Sequence, residues 1–223
     1  QAIKVASDIE EIQNVTDTVF KNMANDINEF SKGLIESHGL GELSAKKYAS
    51  YMGAMLKSSG IAGEAVRDMS KDITLLTADM ASFYNLESEE MFQKIMSAMS
   101  GQTMPLKKLG INMNIANLEA FALSQGIRKS WQEMNQAEQV MLRYNYLMSV
   151  TGDAQGDFAR NSDNWAHSVK RLSEQWQEFM GLMGTALKEI LLPTIQFLIK
   201  AVEWLNKAAR AIGAIYTMIT GKE

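Results

Sequence analysis

From Val5 onward the apolar residues Ile9, Ile12, Val19, Met23, Ile27, Phe30 and Leu34 recur at mostly three- and four-residue steps. That spacing places them on one face of an α-helix. It predicts one long amphipathic helix closed at His38-Gly39-Leu40-Gly41, because glycine accepts the left-handed conformation that ends a helix. A second helix is expected to start at the cap Ser44 and run through Tyr48, Met52 and Met55 to Gly60. Shorter helices follow, bounded by Gly60, Gly101, Gly110 and Gly126 and by the capping residues Ser88 and Asn114. Ser130 with Glu133 has the spacing of a capping box and predicts a helix through Met134, Val140, Leu142, Tyr146 and Leu147, ending near Gly152. Helices this short are marginal alone, so the middle must fold by mutual packing.

The cleanest period lies in the last third. Trp165, Val169, Leu172, Trp176, Phe179, Met183, Leu187 and Ile190 step by three or four without a break. Pro193 is expected to interrupt or kink this helix. Beyond it, Ile195, Leu198, Val202, Leu205, Ala209, Ile212, Tyr216 and Ile219 alternate three- and four-residue steps, which is a coiled-coil seam in need of a partner helix. Lys200, Glu203, Lys207 and Arg210 form a polar stripe, so the segment is amphipathic and a spanning helix is not expected. The candidate interface is therefore Trp165, Trp176, Phe179, Leu198, Val202, Leu205, Ile212 and Tyr216. The expected fold is all-α: a multi-helix bundle with long amphipathic helices at both ends. Its expected parts are a long helix over 1–38, a compact bundle of shorter helices over 39–152, and coiled-coil-like helices over 153–223. These could also form one continuous domain, for no tandem repeat or Pro/Ser-rich linker separates them.

Composition narrows the function more than the fold. With 223 residues, 46% of them hydrophobic, the chain can bury a real core. A net charge of −4, with no basic block, gives little capacity to neutralise phosphates and disfavours nucleic-acid binding. The absence of cysteine removes disulfides and thiolate metal sites and fits an intracellular or virion setting. Gln1 to Glu11 lacks the basic start and apolar core of an export signal, and a start without Met suggests a piece of something longer.

Candidate chemistry is sparse. The two histidines, His38 in a Gly-rich turn and His167 on a helix, have no evident partner and read as structural. No zinc spacing or P-loop occurs. Asp153 and Asp157 in GDAQGDFAR lack the further oxygen donors of a calcium loop and read as a polar turn between helices. Gly152 and Gly156 have GxxxG spacing but sit among polar residues, so they do not mark a membrane helix pair. Glu10-Glu11 and Glu89-Glu90 read as solvated acids near helix starts, where the macrodipole favours them. The 16 methionines read as core fillers, and Trp165, Trp176 and Trp204 as packing or oligomer anchors. No catalytic set, cofactor site or metal site is expected, and a hydrolase would need a nucleophile pair, a metal or a cleft acid that these residues do not supply.

Five stretches carry a resemblance: LKSSGI at Leu56 to Ile61, MSKDITLLTADMASFYN at Met69 to Asn85, SGQTMPLKKLGINM at Ser100 to Met113, QAEQVMLRYNYLM at Gln136 to Met148, and AQGDFARNSDNWAHSVKRL at Ala154 to Leu172. In order and spacing they resemble a module of tail tape-measure proteins from long-tailed phages and prophage tails, over roughly residues 43–198. His167 stands where family members often carry Asn, and the long ruler of a whole tape measure is absent, so length determination cannot reside in this piece alone. The resemblance implies a structural protein of the virion tail, made in the host cytoplasm, threaded in the tail tube during assembly and expelled to help genome passage. It implies tail tube, distal tail and tail assembly chaperone proteins as partners, a homo-oligomer (trimer or hexamer), and no catalytic residues. The alternative is a membrane-active module whose Ile195 to Ile219 segment lies at the host envelope.

Overall fold

The computed structural model describes residues 2–161 and 165–220. The side chains of 2–3, 165–172, 190, 194–195, 198 and 208–220 lie outside what is described. The chain is all-α. Its helices are α1 (Ala2–Phe20), α2 (Ala24–Ser31), α3 (Leu34–His38), α4 (Glu42–Ser58), α5 (Glu64–Phe83), α6 (Ser88–Met99), α7 (Met104–Lys107), α8 (Ile115–Ser124), α9 (Gln136–Val150), α10 (Asp157–Arg160) and α11 (Trp165–Thr220). Two compact units result. One is Asp8–Phe179; the other comprises Gln1–Ser7 and Met180–Glu223.

The single N-terminal helix expected over 1–38 is three helices. Lys21 takes a positive φ of 51° and opens a 3-10 turn over Lys21–Met23, and Gly33, at φ 75°, separates α2 from α3. The apolar spacing continues across both breaks, so periodicity alone could not reveal them. At the other end the expected interruption is also absent: α11 runs through Pro193 as one helix of 56 residues. Proline removes a single i→i−4 hydrogen bond, and the intact bonds on either side can carry a helix past it.

The boundaries read from glycine hold, with Gly60, Gly101, Gly110 and Gly126 all at positive φ just after helix ends. Asn114 caps α8 by accepting from the Asn117 amide at 2.8 Å. Ser88 does not cap; it is the first residue of α6, preceded by Glu87, and its buried hydroxyl has no partner among the described residues. α4 begins two residues before the expected Ser44. The Ser130–Glu133 box is present but closes only a 3-10 turn, and a second box, Asn135 with Glu138, starts α9.

In the Asp8–Phe179 unit, α4 and α5 pack as neighbours, with α2, α6 and α10 laid against them. The core holds Phe20, Ile27, Leu40, Met52, Leu56, Ile73, Leu76, Met80, Met91, Phe92 and Ile95, all essentially inaccessible. Tyr48 stacks on Phe92 with ring centroids 4.5 Å apart. α5 is buried on much of its circumference although it carries Ser70, Thr74 and Thr77. Each of these hydroxyls donates to the carbonyl four residues back, at 2.6–2.7 Å. Their polar atoms are thereby satisfied inside the helix, and the core need supply no partner. A smaller cluster of Leu118, Ala122, Trp131, Met134 and Leu142 joins α8 to α9.

Candidate interface

Most soluble helices bury their apolar stripe, but α11 leaves much of its own uncovered. In the Asp8–Phe179 unit, Trp176 is 59% exposed and Phe179 49%. In the other unit Leu182, Met183, Leu187, Leu191, Leu192, Ile199, Val202 and Leu205 are exposed, and Phe197 and Trp204 reach 70% and 68%. A run of exposed large apolar side chains on one element marks an interaction surface, since scattered single residues are what a monomer ordinarily shows. Of the expected interface residues, Trp176, Phe179, Val202 and Leu205 are thus available for contact. Trp165, Leu198, Ile212 and Tyr216 belong to α11 by backbone, but their side chains lie outside the described residues, as does that of His167.

A second cluster joins two of the quoted stretches. Asp79, buried in α5, accepts from the amides of Gly156 at 2.7 Å and Phe158 at 3.3 Å, so its carboxylate caps α10. Asp157 accepts from the Ser82 hydroxyl and from the Asn161 side-chain amide. Phe158 is fully buried, and Gly39 (φ 62°) lies against it so closely that a Cβ would stand 2.5 Å from its ring. His38 is half-buried here. Burial lowers its proton affinity below the ordinary value, and the Asp79 carboxylate opposes that shift. The polar turn that the sequence suggested covers only Gly152 to Gly156, whereas Asp157–Arg160 form the short helix α10, locked onto α5.

A third contact ties α11 to α4. Glu174 accepts from the Gly41 amide at 3.2 Å and the Ser44 hydroxyl at 3.0 Å, and Glu178 accepts from the Glu42 amide at 2.8 Å. The two acids fill the role of the missing N-cap side chain, at the positive end of α4. Sequence reasoning missed both: their i, i+4 spacing is visible, but nothing local names the helix they reach.

Two shallow troughs flank Ile127 along α9, the first largely apolar and the second half polar, with Gln125, Asn145 and Ser149 in its lining. One, about 490 Å³, is lined by Ile61, Met134, Met141 and Leu142; the other, about 540 Å³, by Phe121, Leu142 and Met148. Their charged groups are Lys129 and Glu138, which pair with each other at 2.6 Å. Glu89 and Glu90 lie exposed in the first turn of α6, as the sequence suggested, and also pair with Lys47 and Lys94, each at 3.0 Å. Among the described residues no group of three or more His, Asp or Glu could hold a metal ion. Also among them, no helix is long and apolar enough to cross a membrane. No family model, curated protein or solved structure matches the chain.

Proposed function

We propose that the chain is a structural segment of a phage tail tape-measure protein, acting in tail assembly and genome passage, with α11 as the element that joins it to other copies. The observation that carries this reading is the uncovered apolar face of α11, joined to the resemblance of five ordered stretches over residues 43–198. In the heptad set by Ile195, Leu198, Val202 and Leu205, the charges Lys200, Glu203, Lys207 and Arg210 all fall on outer positions, away from the seam. The positions flanking the seam are Ile199, Ala201, Asn206 and Ala208.

β-branched residues and Leu at the first two seam layers would by themselves suit a pair of helices. Phe197 and Trp204 fall at the third position of this heptad, on the side away from the seam, so they do not choose between two strands and more. A trimer or hexamer is the assembly we propose, because the resemblance to tail tape-measure proteins implies the threefold or sixfold symmetry of a tail, with the tail tube, distal tail and assembly chaperone proteins as its surroundings and the virion tail as its place.

Tails purified from cells carrying the coding sequence test this. The chain should co-purify with them and resist protease until the tubes are opened. A chain missing from tails, or cleaved equally fast before and after opening, contradicts the proposal. A second reading, binding at the host envelope, is favoured by Phe197 and Trp204 lying beside the basic Lys200 and Lys207. Sedimentation with anionic vesicles distinguishes it, for an interfacial helix binds them and a sealed bundle does not.

A further inference from the structure

Between residues 173 and 179 the apolar side chains Trp176 and Phe179 are exposed, and only Glu174 and Glu178 are partly covered. Their carboxylates take two backbone amides and one hydroxyl at the start of α4. Gly41 permits this approach, since a Cβ there would stand 2.7 Å from a Glu174 oxygen. This stretch of α11 is therefore held by polar contacts to groups that water can satisfy once they part. The core helices α4, α5 and α6 are held instead by buried apolar side chains.

We propose that Glu174 and Glu178 form a releasable clasp, which lets this part of α11 leave the bundle while the core stays folded. The inference stands independently of the proposed function, although a helix that must meet other copies would gain from such a release. The first amides of a helix have no acceptor within it, so slow exchange at Gly41 and Glu42 reports the clasp directly.

Hydrogen exchange on the full-length chain is the test, comparing wild type with Glu174→Ala/Glu178→Ala and with the milder Glu174→Gln/Glu178→Gln, which keeps an acceptor but loses the charge. In the Ala pair, exchange over residues 41–42 should rise about tenfold or more, with a smaller rise in the Gln pair. Amides of Ile73 to Ala81 in α5 should keep their wild-type rates in both. Unchanged exchange at 41–42 would overturn the clasp. An equal rise in α5, or loss of helical circular dichroism in the Ala pair, would overturn its independence from the core.

Discussion

Replacing Asp79 tests the joint between α5 and α10. Its carboxylate satisfies the amides of Gly156 and Phe158, at 2.7 and 3.3 Å, and Phe158 is fully buried beside them. In Asp79→Asn one oxygen can still serve Gly156, but the new amide group turns a donor toward the Phe158 N–H. A buried donor left unsatisfied costs about 1–3 kcal/mol, and the surviving bond weakens on losing its charge. Releasing Asp79 from its own burial returns part of this, since a buried carboxylate is itself unfavourable. The net loss is about 2 kcal/mol for Asn and about 3 kcal/mol for Ala, which leaves both amides unpaired. For a chain of this size 2 kcal/mol corresponds to a fall in Tm of about 4–8 °C. Urea unfolding followed by far-ultraviolet circular dichroism and tryptophan fluorescence reads the change. A loss below about 0.5 kcal/mol for both variants, the range of ordinary surface substitutions, would refute the capping role.

Gly39→Ala meets both a positive φ of 62° and the Phe158 ring at 2.5 Å; it should destabilise by about 2–3 kcal/mol in the same assay. Gly53→Ala sets a gain of about 1 kcal/mol in helix propensity against overpacking on Phe20 at 2.6 Å and Val19 at 2.9 Å. Overpacking costs about 1–3 kcal/mol, so a small net loss is expected, and a Tm above wild type would show that the α1–α4 contact gives way easily. Because burial lowers the proton affinity of folded His38, the unfolded chain binds the proton more readily. Stability should therefore fall as pH drops through the ordinary histidine range, about 7.5 to 5.5, and stay flat just above it. His38→Gln should remove that part of the slope, as paired denaturation curves across this range would reveal.

What the sequence made legible followed from local rules. The all-α class, the glycine-marked ends of the middle helices, the Asn114 cap and the Ser130–Glu133 box all depend on residues within a turn of each other. The methionine reading fared well for the same reason, with Met52, Met80, Met91 and Met99 in the core. The breaks at Lys21 and Gly33 escaped because the apolar period carries on across them, and a positive φ at a lysine has no sequence mark. Asp79, Glu174 and Glu178 escaped because their partners lie 77 to 136 positions away. An acid's spacing on its own helix shows the face it occupies but not the amide it reaches. The exposed face of α11 was half legible: the seam could be read from its period, but only the structure shows that Trp176, Val202 and Leu205 are uncovered.

The central claim is that this uncovered face joins copies of the chain, and molar mass by light scattering over a concentration series tests it most directly. The account predicts three or more copies for the wild type, and a monomer of 24.8 kDa for Val202→Glu/Leu205→Glu, with helical circular dichroism unchanged. A wild-type chain that stays at monomer mass at every concentration would contradict it.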